Sequence, residues 1–230
     1  MKAAVAKHWK APPYYFHLKR GGHVAALQQH QANGHFLKLD LSDFFGSISR
    51  SRLSRALKSF FSHADALRIA TASTVRHPEN PNKTILPYGF VQSPLLASLV
   101  LQKSALGRFL DLLDKNKDTT VSVYVDDILV SSADPELLAS ISLDLTALTP
   151  KSGFVLNADK SEGPASTITA FNIQIESGHQ LKIVERRLAE LRDQIVNSTS
   201  DDERKGVIGN VRSVNPAQAM GFEAPPQVGA

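Results

Sequence analysis

Short apolar segments of two kinds predict the strands of this chain. Residues 35–41 alternate apolar with polar side chains, and β-branched residues dominate at 120–125 and 128–132. A period of two is typical of a strand with one buried face, and β-branched residues favour extended backbone. Only Asp126 and Asp127 separate the last two segments, which therefore predict a hairpin with two acids at its tip.

Longer segments with apolar residues at helical spacing predict the helices. They lie at residues 24–31, 50–74, 93–113, 135–148, 185–196 and 201–220. A short strand is expected at 153–156, and a second hairpin at 167–175 and 180–184. This order of elements predicts an α+β fold in which helices back an antiparallel sheet. Apart from the helix at 24–31, residues 1–35 are expected to be loosely structured. The tail after Phe222 is expected to be frayed.

Composition narrows the classes of protein that the chain can belong to. Of its 230 residues, 42% are hydrophobic and 21% are charged, which is typical of a globular fold. The absence of cysteine excludes a disulfide scaffold, a thiolate metal site and a cysteine nucleophile, and favours a reducing compartment. The N-terminus lacks the apolar core of a signal peptide, and no apolar run is long enough to span a bilayer. We therefore expect a cytoplasmic protein without a membrane partner.

The charges are distributed unevenly along the chain. Residues 1–39 contain six Lys and Arg residues and no acid. Residues 1–110 contain 15 bases and four acids, whereas residues 111–230 contain 11 bases and 18 acids. A basic half of this kind favours contact with a polyanion such as nucleic acid, and a solvated basic face is the alternative.

The acids at the predicted strand ends are the candidate chemistry. Asp126 and Asp127 interrupt an apolar hairpin, where two adjacent carboxylates are costly to bury unless a cation neutralises them. Asp40 ends the strand at 35–41, so pairing of that strand with the hairpin would bring three carboxylates together. Such oxygen ligands suit Mg²⁺, and two ions about 4 Å apart can clamp both oxygens of an in-line phosphoryl transfer. The alternative is a hairpin tip that simply reaches water.

Several segments, in this order, resemble the motifs of reverse transcriptases. They are KLDLSDFFGSI at 38–48, LPYGFVQSPLLAS at 86–98, YVDD at 124–127 and GFVLNADK at 153–160, with the 168–175 hairpin where the primer grip belongs. The resemblance covers residues 36–184, and residues 208–220 are similar to thumb helices of bacterial retroelement enzymes. It implies a right-hand polymerase palm with short fingers and a reduced helical thumb, similar to the small enzymes of retrons, abortive-infection systems and other defence groups.

The resemblance implies a catalytic group of four residues. Asp40, Asp126 and Asp127 would hold the metal ions, with the carbonyl of Leu41 as a further ligand. Lys160 would lie near the leaving pyrophosphate as a proton donor or charge stabiliser. The implied cofactor is Mg²⁺, with Mn²⁺ as the alternative.

The resemblance also implies residues that contact nucleotide and nucleic acid. Phe45 would lie beneath the sugar, where its ring would collide with a ribose 2′-OH. The other nucleotide-binding candidates are Tyr88, Gly89, Lys19 and Arg20. The candidates for contact with nucleic acid are Ser93, Pro94, Tyr124 and Phe171. The sequence departs from the family at Tyr88, where Gln is common, and at Ser98, where Asn is common.

The same resemblance implies a division of the chain and a set of partners. Residues 1–35 would form a basic N-terminal arm and reduced fingers, 36–184 the palm with finger elements, and 185–230 thumb-like helices and the tail. The expected partners are an RNA template, a DNA product, dNTPs and a structured noncoding RNA. A second protein or self-association would close a groove that so short a chain leaves open.

The implied activity is RNA-directed DNA synthesis in a bacterial retroelement or anti-phage defence system. A primer 3′-OH would attack the α-phosphate of a dNTP at a two-metal site. One alternative is a template-independent or protein-primed polymerase of the same fold, primed from Tyr14 and Tyr15 in a flexible arm. Another is a nucleic-acid-binding subunit of a larger polymerase, and an RNA polymerase palm is disfavoured by Phe45.

Overall fold

A central antiparallel sheet organises the fold. The computed structural model describes residues 2–178 and 180–223. Its strands are β1 (His35–Ser42), β2 (Val75–Arg76), β3 (Thr84–Ile85), β4 (Thr120–Tyr124), β5 (Asp127–Ser132), β6 (Val155–Leu156), β7 (Glu162–Ala165), β8 (Thr167–Ala170), β9 (Ile173–Glu176) and β10 (Lys182–Ile183). Its helices are α1 (Lys2–His8), α2 (Gly22–Gln28), α3 (Arg50–Leu57), α4 (His63–Ser73), α5 (Ser93–Lys103), α6 (Ala105–Leu113), α7 (Pro135–Lys151), α8 (Glu185–Asn197), α9 (Asp201–Val214) and α10 (Pro216–Glu223).

β1 is an inner strand of the main sheet, whose order is β4-β5-β1-β6 with β7 also paired to β1. It pairs with β5 from His35 to Asp40, and Asp40 lies opposite Asp127. Its other edge pairs with β7 near Phe36 and with β6 at Leu41. Since both edges of β1 are hydrogen-bonded, the strand has a fixed position in the sheet.

Alternation along β1 sends its side chains into two hydrophobic clusters. Leu37, Leu39 and Leu41 belong to a cluster with α3, α5, α6 and α7. Phe36 belongs to a second cluster with Leu129, the strands β8–β10 and the helices α8 and α9. A slip of one residue would exchange the two faces of β1, so burial on both sides fixes the register. The predicted α+β fold, an antiparallel sheet backed by helices, is confirmed.

The expectation that residues 1–35 are loosely structured is wrong. Trp9, Tyr14 and Tyr15 are all buried in the larger cluster. The Trp9 indole N–H donates to Gln102 at 2.6 Å, and the Tyr14 hydroxyl donates to Asp111 at 2.6 Å. Aromatic side chains bury a large apolar area once their polar atoms find partners, and this area outweighs the local turn signals in the segment.

Two predicted helices are each broken into two. The 50–74 segment breaks before Ser62, whose hydroxyl oxygen accepts the N–H of Asp65 and thereby caps a new helix. The 93–113 segment breaks at Ser104, whose backbone is extended and whose hydroxyl oxygen accepts the N–H of Gly107. A Cβ atom on Gly107 would lie 2.1 Å from the carbonyl oxygen of Leu101, so this break requires glycine.

Other boundaries differ by a few residues. The helix predicted at 24–31 spans 22–28, the one at 135–148 continues to Lys151, and the one at 201–220 is interrupted at Asn215. Strand β7 was not predicted, because its sequence EGPA lacks both alternation and β-branched residues. The tail that we expected to be frayed, residues 224–230, lies outside the described residues. The domain boundaries after residues 35 and 184 stay a prediction.

Candidate active site at the end of the central sheet

The sheet brings the three predicted carboxylates to one place. Asp40 at the end of β1 lies opposite Asp127 at the start of β5. Asp126 belongs to the two-residue turn that joins β4 to β5, because Tyr124 pairs with Asp127. The backbone N–H of Leu41 donates to the carbonyl oxygen of Asp126 at 3.0 Å, which ties this turn to β1. The hairpin and the β1 strand are therefore neighbours, which is the condition on which convergence of the three carboxylates depended.

The carboxylates disfavour one another's ionised forms. Burial, together with the neighbouring charges of Asp126 and Asp40, raises the pKa of Asp127 to about 6. Burial also raises the pKa of Asp126, with a smaller contribution from Asp40. Lys160 partly compensates, since its Nζ atom lies 4.0 Å from a carboxylate oxygen of the buried Asp40. The charge of Lys38 also lowers the pKa of Asp127, so two lysines partly neutralise the group.

The donor chemistry of this group fits a divalent cation. Carboxylate oxygens whose charges repel one another are the ligands that Mg²⁺ takes, and phosphates and water supply the remainder of its shell. Within residues 2–178 and 180–223, no three His, Cys, Asp or Glu side chains are grouped closely enough to hold a metal ion by themselves.

The hairpin turn adopts a backbone conformation that needs support. Val125 has φ 60°, in the left-handed region where a β-branched residue is rare. Its N–H donates to Nδ1 of His17 at 2.9 Å, while Nε2 of His17 lies 2.8 Å from the hydroxyl of Ser98 on α5. Since Nδ1 accepts, the ring is neutral and donates from Nε2, and burial lowers its pKa to about 4. His17 therefore links the strained turn to α5.

A cleft of about 560 Å³ opens in front of the carboxylates. The residues that line it include Phe45, Tyr88, Tyr124, Asp126, Asp127 and Phe171. The Phe45 ring is half-buried, and its centroid lies 5.9 Å from that of Tyr88 in an edge-on contact. Tyr88 is 87% exposed and belongs to a protruding loop that also contains Gly89, at φ 88°. We call this cavity the carboxylate cleft.

An aromatic cluster forms one wall of the carboxylate cleft. The rings of Tyr124 and Phe171 lie 5.2 Å apart, and His23 contacts them at 5.9 and 5.3 Å respectively. Phe171 and Asn172 both have positive φ angles, 55° and 61°, and form the two-residue tip between β8 and β9. The tip thus presents Phe171 beside the YVDD turn.

Other predicted site residues lie elsewhere. Ser93 is completely buried and donates to the carbonyl of Pro87, so it anchors the loop from inside, whereas Pro94 is half-buried. Lys19 packs over the Phe16 ring at 3.5 Å and donates to the carbonyl of Pro13. Neither Lys19 nor Arg20 lines the carboxylate cleft in the described part of the chain.

Sequence reasoning missed His17 and His23 as parts of the site. His17 acts through a backbone N–H of a residue 108 positions away, and no sequence motif encodes such a contact. The signal that was present is composition: five of the eight histidines precede residue 36. Burial also corrects the priming hypothesis, because Tyr14 and Tyr15 are 2% and 1% exposed and do not lie in a flexible arm.

This fold and site define a polymerase palm, in which three carboxylates lie together in an antiparallel sheet and two of them, Asp126 and Asp127, line an open cleft. The family model described as reverse transcriptase (RNA-dependent DNA polymerase) matches residues 1–188. The chain belongs to this family of nucleotidyltransferases. The predictions of a reverse transcriptase palm and of this enzyme class are therefore confirmed. No curated protein matches the chain significantly.

Solved structures of similar fold include two telomerases and a viral enzyme. Telomerase from Candida albicans, in complex with a TWJ fragment of telomeric RNA, is 10% identical with a TM-score of 0.61 over 96% of this chain and 45% of its own. Apo telomerase from Candida tropicalis is 10% identical with a TM-score of 0.58, over 96% of this chain and 48% of its own. A foamy viral protease-reverse transcriptase in complex with RNA/DNA hybrid is 17% identical with a TM-score of 0.50, over 95% of this chain and 27% of its own.

These likenesses show a shared fold. The chain spans about half the length of the two telomerases and about a quarter of the viral protein.

Among the helices in the described part of the chain, none is long and apolar enough to cross a membrane.

The contact between His17 and the turn gives a first prediction. His17→Ala removes the acceptor of the Val125 N–H, and we expect it to lower the free energy of unfolding by about 1–3 kcal/mol, measured by urea denaturation. His17→Asn offers an amide oxygen near the position of Nδ1 and should recover much of that loss. Equal losses in the two variants, with unchanged amide exchange at Val125, would show that the hydrogen bond does not support the turn.

Proposed function

We propose that this chain is the catalytic part of an RNA-directed DNA polymerase that extends a primer 3′-OH with dNTPs. The observation that carries the proposal is the strand register that sets Asp40 opposite Asp127, with Asp126 in the adjoining turn. Asp126 and Asp127 line a cleft of about 560 Å³ that aromatic rings also line, and the buried Asp40 lies next to Asp127 in the sheet. Membership of the reverse transcriptase family supports the same activity.

Asp40, Asp126 and Asp127, with the carbonyl oxygen of Leu41, would hold divalent cations, either Mg²⁺ or Mn²⁺. When bound, such ions stabilise the negative charge that develops during phosphoryl transfer. Lys160 is 66% exposed and reaches Asp40 from the loop after β6, so its ammonium group is free to approach a pyrophosphate. We assign it the role of a charge stabiliser or proton donor for the leaving group.

Phe45 and Tyr88 are proposed to select the sugar of the incoming nucleotide. Phe45 follows β1 by three residues and faces the cleft that the carboxylates border. A ring packed against Tyr88 on one side and the core on the other cannot move aside without disturbing its neighbours. A 2′-hydroxyl at that point would be excluded, whereas a deoxyribose would fit. Gly89 lets the adjacent loop approach the base.

Tyr124 and Phe171 are proposed to hold the primer end, because both lie beside the YVDD turn and present aromatic surface to the cleft. Pro94 would contribute to the surface beneath the template. The proposal includes an RNA template and a DNA product as partners. A bacterial retroelement or defence context, a structured noncoding RNA and a cytoplasmic location rest on the sequence resemblance alone.

Loss of one carboxylate should stop synthesis without unfolding the protein. We expect Asp126→Asn to lower dNTP incorporation by at least about a hundredfold, because charge stabilisation at the transferring group would be lost. Its thermal stability should stay equal or rise slightly, since burial and Asp40 already disfavour the Asp126 charge. Primer extension on an RNA template is the measurement, and Asp144→Asn, an exposed acid on α7, is the matched control.

Full activity of Asp126→Asn would contradict the proposed site. Sequencing of the products distinguishes templated synthesis from the template-independent alternative. The exposed Tyr88, at a position where the family often has Gln, gives that alternative its support. DNA made equally well without template would replace the proposed function by this second one.

Sugar selection gives a separate prediction. Phe45→Ala should raise the use of rNTPs relative to dNTPs about tenfold or more, because the ring that fills the 2′-hydroxyl position is removed. Single-nucleotide incorporation with each substrate measures this ratio. Phe109→Ala is the control, since Phe109 is a half-buried phenylalanine on α6 that does not line the carboxylate cleft. An active Phe45→Ala enzyme that still rejects rNTPs would place the selecting group elsewhere.

A further inference from the structure

A second cavity has a volume of about 500 Å³, and all the charged residues that line it are cations. These are Arg52, Arg55, Lys103, Arg108 and Lys151, and no Asp or Glu lies in the lining. They come from α3, from the last residue of α5, from α6 and from the last residue of α7. Folding thus brings together bases that are far apart in the sequence.

A neighbouring cavity of about 470 Å³ extends the same surface. It shares Arg55 with the first cavity, adds Arg50, Lys58 and His63, and again contains no acid. α3 buries Leu53 and Leu57 in the core and exposes bases along its other side. We name the surface formed by the following seven residues the basic face: Arg50, Arg52, Arg55, Lys58, Lys103, Arg108 and Lys151.

The basic face lacks the acids that normally neutralise such a surface. Within residues 2–178 and 180–223, none of its seven cations forms an ion pair. Elsewhere the chain does pair its bases, as Arg187 does with Glu190 at 2.8 Å. Like charges held together in this way raise the energy of the free protein, and a polyanion would lower it.

Several of these cations are held in place before any ligand binds. Arg52 donates to the carbonyls of Ser47, Gly153 and Ser152. Lys103 lies over the ring of Phe60, with Nζ 4.6 Å from the centroid. A guanidinium nitrogen of Arg108 donates to the carbonyl of Lys103 at 3.1 Å. Side chains restrained in this way lose less conformational entropy on binding than free ones.

We propose that the basic face binds the phosphodiester backbone of a nucleic acid outside the carboxylate cleft. Seven cations spread over two adjoining cavities match a polymer with repeated charges better than a single nucleotide, which would reach only a few of them. The face shares no lining residue with the carboxylate cleft, so the two sites can be occupied together. The inference does not rest on the proposed polymerase activity.

Binding measured without metal or dNTP tests this inference independently of synthesis. The test variant combines four exposed changes: Arg55→Gln, Lys103→Gln, Arg108→Gln and Lys151→Gln. Arg52 is retained because its carbonyl contacts join α3 to the segment after α7. The control variant removes the same charge from exposed lysines outside both cavities: Lys115→Gln, Lys117→Gln, Lys182→Gln and Lys205→Gln.

A short hairpin RNA and a DNA duplex of the same length are the probes, with fluorescence anisotropy as the readout. At about 0.1 M salt we expect the test variant to bind about tenfold or more weakly than the control. Its plot of log K against log salt should lose about 0.7–0.9 in slope for each phosphate contact removed. If the test variant loses affinity for RNA only, the face accepts an RNA backbone. If it loses affinity for both probes, the face accepts either backbone.

Equal affinity and slope in the two variants would overturn the proposal. Polyglutamate gives a second contradicting outcome. If this peptide binds the native protein as tightly as RNA does, and binds the test variant more weakly by the same factor, the face accepts an acidic protein and the proposal is overturned. Thermal melting checks that both variants fold. If the test variant does not, the pair Lys58→Gln and Lys151→Gln repeats the comparison against Lys115→Gln and Lys117→Gln.

Discussion

The pairing of β1 with β5 is the constraint on which this molecule depends. It sets Asp40 opposite Asp127, and its neighbouring turn adds Asp126, so three carboxylates share one end of a buried sheet. Like charges in such a place oppose folding. The sheet holds them because β1 is hydrogen-bonded on both edges and buried on both faces, which leaves no alternative register. Energy gained in the core thus offsets repulsion at the site.

The rest of the site comes from segments that brace this sheet end. His17 connects the strained Val125 turn to Ser98 on α5, and the β8–β9 tip brings Phe171 against Tyr124. The N-terminal segment therefore packs into the same hydrophobic cluster as the central sheet. The basic face lies on α3 and its neighbours, where the same core positions the charges of the second nucleic-acid contact that we propose.

Local patterns predicted the parts of this structure that local sequence determines. Alternation identified β1, and the acids between two β-branched runs identified the hairpin that carries Asp126. The breaks at Ser62 and Ser104 were missed because each cap lies inside an otherwise continuous helical pattern. Charge counts drew attention to the N-terminal bases, but no count indicates where a side chain lies, and Lys19 packs on Phe16. His17 and the basic face depend on contacts between distant segments, which a single sequence does not encode as a pattern.

The most direct test of the cost of holding these carboxylates together in a buried sheet is the free energy of unfolding of the native chain minus that of Asp127→Asn, followed from pH 4 to 8 by urea denaturation. The folded pKa of Asp127, about 6, exceeds its ordinary value of 3.8, so native stability should fall relative to the variant as pH rises through 6. We expect a loss of the order of 1 kcal/mol. Burial lowers the pKa values of His17 and His30, which makes the stability of both proteins rise with pH. Subtracting the two free energies of unfolding cancels this contribution. Mg²⁺ should abolish the loss. A difference that is independent of pH, or Mg²⁺ stabilisation equal in both proteins, would contradict the account.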